Sequence, residues 1–258
     1  MGRAQGTACC SEIGARLEAS GIVRRGRRPW SLRPLLAGRV LGNGVGREVF
    51  RHYPHLGERI QGLAQGAGYS IESLTELFVR ESSATASGEA FLADADIAAR
   101  AGEGACVARS LPEAGWMVRR SQPEVGFASL EVTLPWLPCA AGGVNEGGIA
   151  VAAVSHPGAA AGKGPSALLL VQECLQRFTD VPGCIDWSLK RPTSGCVRLV
   201  VASAAGRVVA IEIDENRRSV HEVSGETDGK LDTDLVLDPH ERSLRVRLAG
   251  QAPVTLSL

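Results

Sequence analysis

The stretch Gly102-Glu103-Gly104-Ala105-Cys106-Val107-Ala108-Arg109 divides the chain into two parts with different patterns. Apolar residues recur at helical spacing mainly before it, and short β-rich runs separated by turn residues come mainly after it. One cysteine follows a small, flexible run and precedes residues 113–120, for which the pattern predicts a strand. The stretch therefore marks where the β-rich part begins and contains the first candidate catalytic residue, Cys106.

Cys106 is predicted to become a new N-terminus through self-cleavage of the peptide bond that precedes it. A free thiol has a pKa of about 8.5 and an α-amine one of about 7.7–8.0. The released amine can therefore accept the thiol proton near neutral pH. Gly102 and Gly104 permit the bent, uncrowded backbone that attack on the preceding carbonyl needs. The alternative is that Cys106 is a small buried apolar residue at the start of a strand.

The composition indicates a self-folding globular protein without a polyanion-binding role. A chain of 258 residues with 44% hydrophobic residues is long enough for one large domain or two small ones. Lys and Arg number 28, as do Asp and Glu, so no net charge favours nucleic acid or an acidic membrane surface. The basic cluster at residues 24–28 is predicted to be a solvated face.

Targeting, metal and cofactor signals are weak throughout. Neither an apolar signal core nor an apolar run of about 18 residues is present, which predicts a cytoplasmic protein without a membrane partner. Seven cysteines without Cys-x-x-Cys spacing and five scattered histidines predict no disulfide framework, no metal site and no cofactor. Gly42, Gly44 and Gly46 alternate, but no strand precedes them and no Lys-Ser/Thr follows, which argues against phosphate binding.

Helices and strands are predicted from the periodicity of the apolar residues. Helical spacing covers residues 11–19, residues 47–63 with an interruption at Pro54, and residues 166–178. Ser70 is the expected N-cap of a further helix over residues 71–78. Strands are expected at residues 116–118, 126–134, 147–154, 198–201, 207–213, 235–237 and 244–248. This order favours an α+β fold with antiparallel sheets packed face to face, not a doubly wound parallel sheet.

Several stretches together are similar to one known family. They are residues 53–68 (YPHLGERIQGLAQGAG), residues 71–74, Cys106, residues 143–151, residues 206–212 and residues 235–242. They resemble the acyl-coenzyme A:6-aminopenicillanic acid acyltransferases and their isopenicillin N acyltransferase-like cysteine peptidase relatives, which are N-terminal-nucleophile (Ntn) hydrolases. The likeness spans about residues 40–250, and the Gly-rich helix entry is its most specific part.

The resemblance implies a four-layer αββα sandwich of two antiparallel sheets. Residues 1–105 would be a helical pro-segment and residues 106–258 a β-rich segment, together one globular domain. Cys106 would carry an acyl group as a thioester and pass it to an amine or to water. The implied substrate is a small amide or acyl thioester of specialised biosynthesis, or an acyl group bound to a carrier. We also expect exposed sheet edges to allow a homodimer.

The resemblance also implies roles for three residues outside the cleaved stretch. Arg119 or Arg120 would lie beside the thiol and favour the thiolate; the alternative is an edge-strand charge pair facing water. Asn145 would donate to an oxyanion; the alternative is a turn residue ahead of Gly147 and Gly148.

The chain departs from the family where other polar residues are usual. Gln122 replaces an aspartate that orients the amine, and Ala152, Val154 and Arg198 replace asparagines. Two other hypotheses therefore remain open beside the active enzyme. One is a binding or scaffold protein with an inert Cys106, and the other is an unprocessed cysteine enzyme with His156 or His221 as base.

Overall fold

A computed structural model describes residues 2–22, 45–82, 95–111, 115–155, 165–193, 196–214, 217–225, 234–248 and 251–258. Seven helices and twelve strands form within these residues. The helices are α1 Gly2–Ala8, α2 Cys10–Ala19, α3 Val45–His52, α4 Pro54–Ala67, α5 Ile71–Ser82, α6 Leu169–Arg177 and α7 Val181–Lys190. No helix among the described residues is both long and apolar enough to span a membrane.

Local sequence signals explain where the helices begin and end. Pro54 occupies the first turn of α4, where its missing N–H is not needed. Ser70 Oγ accepts a hydrogen bond from the Ser73 N–H at 3.2 Å, and Asp180 Oδ1 accepts one from Gly183 at 2.7 Å. The predictions of the break at Pro54 and of the Ser70 cap are therefore confirmed.

The strands form two antiparallel sheets. The first has five strands in the order β1-β2-β10-β11-β12, and the second has seven in the order β3 to β9. The bounds are β1 Ile97–Arg100, β2 Cys106–Arg109, β3 Met117–Ser121, β4 Ser129–Thr133, β5 Gly142–Asn145, β6 Ile149–Ser155, β7 Val197–Ser203, β8 Val208–Ile213, β9 Arg218–Glu222, β10 Leu235–Asp238, β11 Ser243–Val246 and β12 Val254–Ser257. The predicted α+β fold of two antiparallel sheets is confirmed.

Two neighbouring glycines of β5 show how the layers are stacked. A Cβ at Gly142 would lie 3.3 Å from Leu235 Cδ2 of the five-stranded sheet. A Cβ at Gly143 would lie 2.9 Å from Leu175 Cδ1 of α6. Successive residues of a strand face opposite sides, so the seven-stranded sheet lies between the helices and the five-stranded sheet. Among the described residues, helices α6 and α7 pack on the seven-stranded sheet.

The two segments on either side of Cys106 are joined by main-chain pairing. Strand β1 precedes the cysteine and pairs with β2 over four residue pairs, from Ile97–Arg109 to Arg100–Cys106. Helices α6 and α7 follow the cysteine and pack against the seven-stranded sheet. Strand formation therefore begins before Cys106, and the segment ahead of it contributes an edge strand to the sheet that contains it.

Candidate functional site

Cys106 is the first residue of β2 and is 5% exposed. Its strand lies between β1 and β10 in the five-stranded sheet. A five-residue turn, residues 101–105, joins β1 to β2 and ends at the peptide bond that would have to break. The candidate nucleophile thus lies where a tight turn becomes a strand.

The turn ahead of Cys106 is bent and held at several points. Gly102 and Gly104 have φ angles of 90° and 70°, a region that glycine enters without strain. Within the turn, the Ala105 N–H donates to the Gly102 carbonyl at 3.1 Å. The Ala101 and Gly102 N–H groups donate to the carbonyls of Gly225 and Gly206, each at 2.8 Å. Other turns of the fold therefore fix the backbone before the cysteine.

Arg100 is the polar residue directly across the ladder from Cys106. Its Nε and Nη2 donate to the Gly104 carbonyl at 3.1 and 2.9 Å, so one guanidinium holds the turn with two bonds. The side chain itself is exposed. Sequence reasoning did not single out Arg100. The available signal was the Gly-rich turn, which places the residues on its two sides opposite each other in a hairpin.

The register of the five-stranded sheet shows which way Cys106 faces. Leu235 contacts the seven-stranded sheet and pairs with Arg109, so Arg109 faces the same sheet. Because side chains alternate along a strand, Val107 shares that face and Cys106 points to the opposite one. The Arg109 contact agrees, since its Nε donates to the Ala153 carbonyl of β6 at 2.8 Å. The thiol therefore belongs to the outer face of the five-stranded sheet.

Arg109 is a buried cation between the two sheets. It is 0% exposed, and its guanidinium carbon lies 5.2 Å from the centre of the Trp116 ring. Burial lowers the pKa of Arg109 to about 9. Its place three residues after Cys106 puts it on the face of β2 opposite to the thiol.

Arg119, predicted to lie beside the thiol, takes part in a buried network under the helices. Its Nε donates to Glu131 Oε2 at 2.8 Å, and its Nη1 donates to Gln5 Oε1 at 2.6 Å. The water-facing alternative is wrong for Arg119, whose side chain is only 10% exposed. Arg120 points to the other face of β3 and is exposed, as that alternative expected.

Glu131 is the anion of this network and is fully buried. Burial alone would raise the pKa of Glu131, but the positive charges of Arg119 and Arg59 and hydrogen bonds from Gln172 and Ser129 hold it at about 2. The Gln172 and Ser129 bonds are 2.7 and 2.6 Å long. This cluster ties α4 and α6 to β3 and β4.

Asn145 closes the turn between β5 and β6. Its Nδ2 donates to the carbonyls of Leu175 and Phe178 at 2.9 and 2.8 Å. Its Oδ1 accepts from the Ile149 N–H at 2.9 Å, and its side chain is fully buried. These contacts support the turn role, and the oxyanion role stays a prediction.

The structure does not bring the four sequence-predicted site residues together. Arg119 and Asn145 face the helices across the seven-stranded sheet, while Cys106 faces away from that sheet on the other one. Both sheets thus lie between the thiol and these side chains. Of the two histidines considered as bases, His221 is exposed on β9, and His156 lies outside the described residues. Among the described residues, Arg100 is one charged side chain that the register places beside the thiol.

A second charged residue reaches the same end of the sheet from the other side of β2. The β2–β10 pairing ends at Leu237 and Val107, and continuing it by one residue places Asp238 opposite Cys106. Asp238 Oδ1 accepts hydrogen bonds from the N–H groups of His240 and Glu241, both at 2.9 Å. One oxygen of this carboxylate therefore holds the following turn.

Comparisons with known proteins give partial structural similarities. No family model and no curated protein sequence matches the chain. Penicillin V acylase from Agrobacterium tumefaciens superposes with a TM-score of 0.36 at 19% identity, over 50% of this chain and 49% of that one. Two variants of conjugated bile acid hydrolase from Clostridium perfringens give TM-scores of 0.38 and 0.37 at 15% and 14% identity, over 51% and 54% of this chain and 52% and 54% of theirs. The chain spans about half the length of these solved structures.

Proposed function

We propose that this chain is a self-processing cysteine enzyme that transfers an acyl group from an amide or thioester to an amine or to water. The observation that carries the proposal is the position of Cys106 at the junction of a pinned, glycine-containing turn and a sheet strand. An intrachain attack by a thiol requires a backbone held in a bent conformation, and the turn supplies one.

The cleavage reaction needs only the chain and water. The Cys106 sulfur attacks the Ala105 carbonyl carbon, a C–S bond forms and the C–N bond breaks. The thiol proton ends on the nitrogen, which becomes the α-amine of Cys106. Water then hydrolyses the thioester, which releases the Ala105 carboxylate and regenerates the thiol.

After cleavage, Cys106 provides both the nucleophilic thiol and the proton-accepting α-amine for turnover. The α-amine takes the thiol proton while the sulfur attacks the substrate carbonyl, and the acyl group stays on sulfur until an amine or water removes it. In the uncut chain Cys106 is 5% exposed. Cleavage frees one end of the turn of residues 101–105 and so opens the strand end to a substrate.

Intact mass spectrometry of purified protein tests the proposal. We expect two fragments, residues 1–105 and 106–258, for the wild-type chain and an uncut chain for Cys106→Ala. Cys10→Ala is the matched control, because Cys10 is an exposed cysteine on α2, and it should be cut like the wild type. A wild-type chain that stays whole, or a Cys106→Ala chain that is cut at the same bond, would contradict the proposal.

The second candidate function is a binding or scaffold protein that retains the two sheets without the chemistry. The separation of Arg119 and Asn145 from Cys106 favours it, because both side chains serve the packing of helices on the other sheet. This candidate predicts an uncut chain and a Cys106→Ala variant with unchanged ligand binding. The mass measurement therefore distinguishes the two functions.

A further inference from the structure

We propose that Arg100 is the positioning residue for cleavage before Cys106. The inference rests on the proposed function and goes beyond it, because it assigns a role to a residue ahead of the cut. Arg100 belongs to the segment that self-cleavage would separate from the nucleophile, yet it contacts the turn through its side chain and faces Cys106 across the ladder.

The side chain of Arg100 restrains the turn one peptide away from the reacting carbonyl. Its two bonds to the Gly104 carbonyl come from one planar guanidinium, so they fix the direction of that carbonyl as well as its distance. Gly104 is joined directly to Ala105, whose carbonyl carbon the sulfur must reach. Fixing one end of this short peptide limits the orientations of the next carbonyl.

The main chain of Arg100 restrains the Cys106 side of the Ala105–Cys106 peptide bond. The Ser110 N–H donates to the Asp96 carbonyl at 3.0 Å, which marks that pair as hydrogen-bonded. Hydrogen-bonded pairs alternate along an antiparallel ladder. Ala98–Ala108, two residues further along, is therefore a hydrogen-bonded pair, and so is Arg100–Cys106. The leaving nitrogen of Cys106 thus faces the Arg100 carbonyl.

Arg100 also lies on the thiol's side of the sheet. Cross-strand partners share a face, and their Cβ atoms are about 4.5–5.5 Å apart. When the bond breaks, the Gly104 carbonyl becomes part of a free chain end and the guanidinium can turn to the sulfur. Its positive charge would then favour the thiolate that turnover requires, while the Asp238 carboxylate on the other neighbouring strand opposes it.

The rate of self-cleavage after cell-free synthesis tests this role. Translation of the full chain is stopped, and the fraction cut is followed by intact mass. We expect Arg100→Gln to cut at least about tenfold more slowly than the wild type, because charge-assisted bonds to the turn are lost. Arg245→Gln should cut at the wild-type rate, since Arg245 is an exposed arginine on β11 of the same sheet.

A rescue experiment separates positioning from folding. Arg100→Ala should regain part of its cleavage rate in dilute guanidinium chloride and none in sodium chloride of equal concentration. Thermal unfolding should be close to that of the wild type, because the side chain is exposed.

The outcomes distinguish this inference from the function on which it rests. A wild-type chain that stays whole overturns both. A wild-type chain that is cut while Arg100→Gln is cut equally fast overturns only the role of Arg100. Slow cleavage of Arg100→Ala without guanidinium rescue, together with a lowered unfolding temperature, also overturns it, because the residue would then act through stability.

Discussion

Asn145 is fully buried where the β5–β6 turn meets the end of α6. All three hydrogen bonds of its side chain go to the main chain of the β5–β6 turn and the end of α6. A donor aimed at an oxyanion would need an N–H directed at the reacting carbonyl. The contacts support a role for Asn145 in the packing of α6 on β5, and its oxyanion role stays a prediction.

Replacing Asn145 should therefore reduce stability more than reactivity. In Asn145→Ala the buried Leu175 carbonyl, the part-buried Phe178 carbonyl and the buried Ile149 N–H lose their partner, and we expect the free energy of unfolding to fall by about 2–4 kcal/mol. Denaturant unfolding measures this change. At a temperature where the variant is folded, its self-cleavage rate should equal that of the wild type. A stable Asn145→Ala protein with slow cleavage or turnover would instead support the oxyanion role.

The sequence could identify Cys106 but not its neighbours. A cysteine between a Gly-containing turn and a β-rich run is a local signal, and both the turn and the strand are local structures. Which side chains share the face of Cys106 depends on strand register, and a shift of one residue moves every side chain to the other face. The resemblance implies Arg119 or Arg120 beside the thiol, whereas the strand register places Arg100 there.

The attachment of the helices to the seven-stranded sheet depends on the Arg59–Glu131–Arg119 cluster. Glu131 is fully buried, and the two arginines come from α4 and β3. Removing one partner of such a cluster leaves uncompensated buried charge, which costs about 3–5 kcal/mol. The cluster is therefore more important for assembly of these layers than any exposed ion pair.

Glu131→Gln should destabilise the protein strongly, by about 3–5 kcal/mol in denaturant unfolding. The matched control is Glu222→Gln, which breaks the exposed Arg207–Glu222 ion pair at the end of β9 and should change stability little. Equal effects of the two substitutions would contradict the buried-cluster account.

The low pKa of Glu131 predicts that the free energy of unfolding depends on pH. The folded-state pKa of Glu131 is about 2, below the value of about 4.3 for an unfolded glutamate. Its stabilisation is complete above the unfolded pKa and is lost as the pH falls through the folded one. The free energy of unfolding of the wild type should therefore decrease between about pH 4 and pH 2 by more than that of Glu131→Gln.

The helices illustrate what periodicity can and cannot predict. Helices α4 and α5 follow from apolar spacing, Pro54 and the Ser70 cap. Helix α1 was not predicted, because glycine is a poor helix former. In the structure α1 packs closely on α4, and a Cβ at Gly2 would lie 2.1 Å from the Arg59 carbonyl oxygen. Tertiary packing thus outweighs local propensity there.

At the scale of the whole molecule, the segments before and after Cys106 form one sheet. Strand β1 pairs with β2, and Arg100 on β1 faces Cys106. A cut at residue 105 would break the connecting turn and leave these pairs in place. The chain ahead of the cut would thus remain part of the site.

Self-cleavage would make Cys106 an N-terminal residue with an adjacent thiol and amine. Such 1,2-aminothiols condense with 2-cyanobenzothiazole to a thiazoline with loss of ammonia, whereas internal cysteines form no such stable ring. Mass spectrometry of the treated native protein should show one thiazoline adduct on the fragment of residues 106–258 and none on Cys106→Ala. A full-length chain without this adduct would contradict self-cleavage before Cys106.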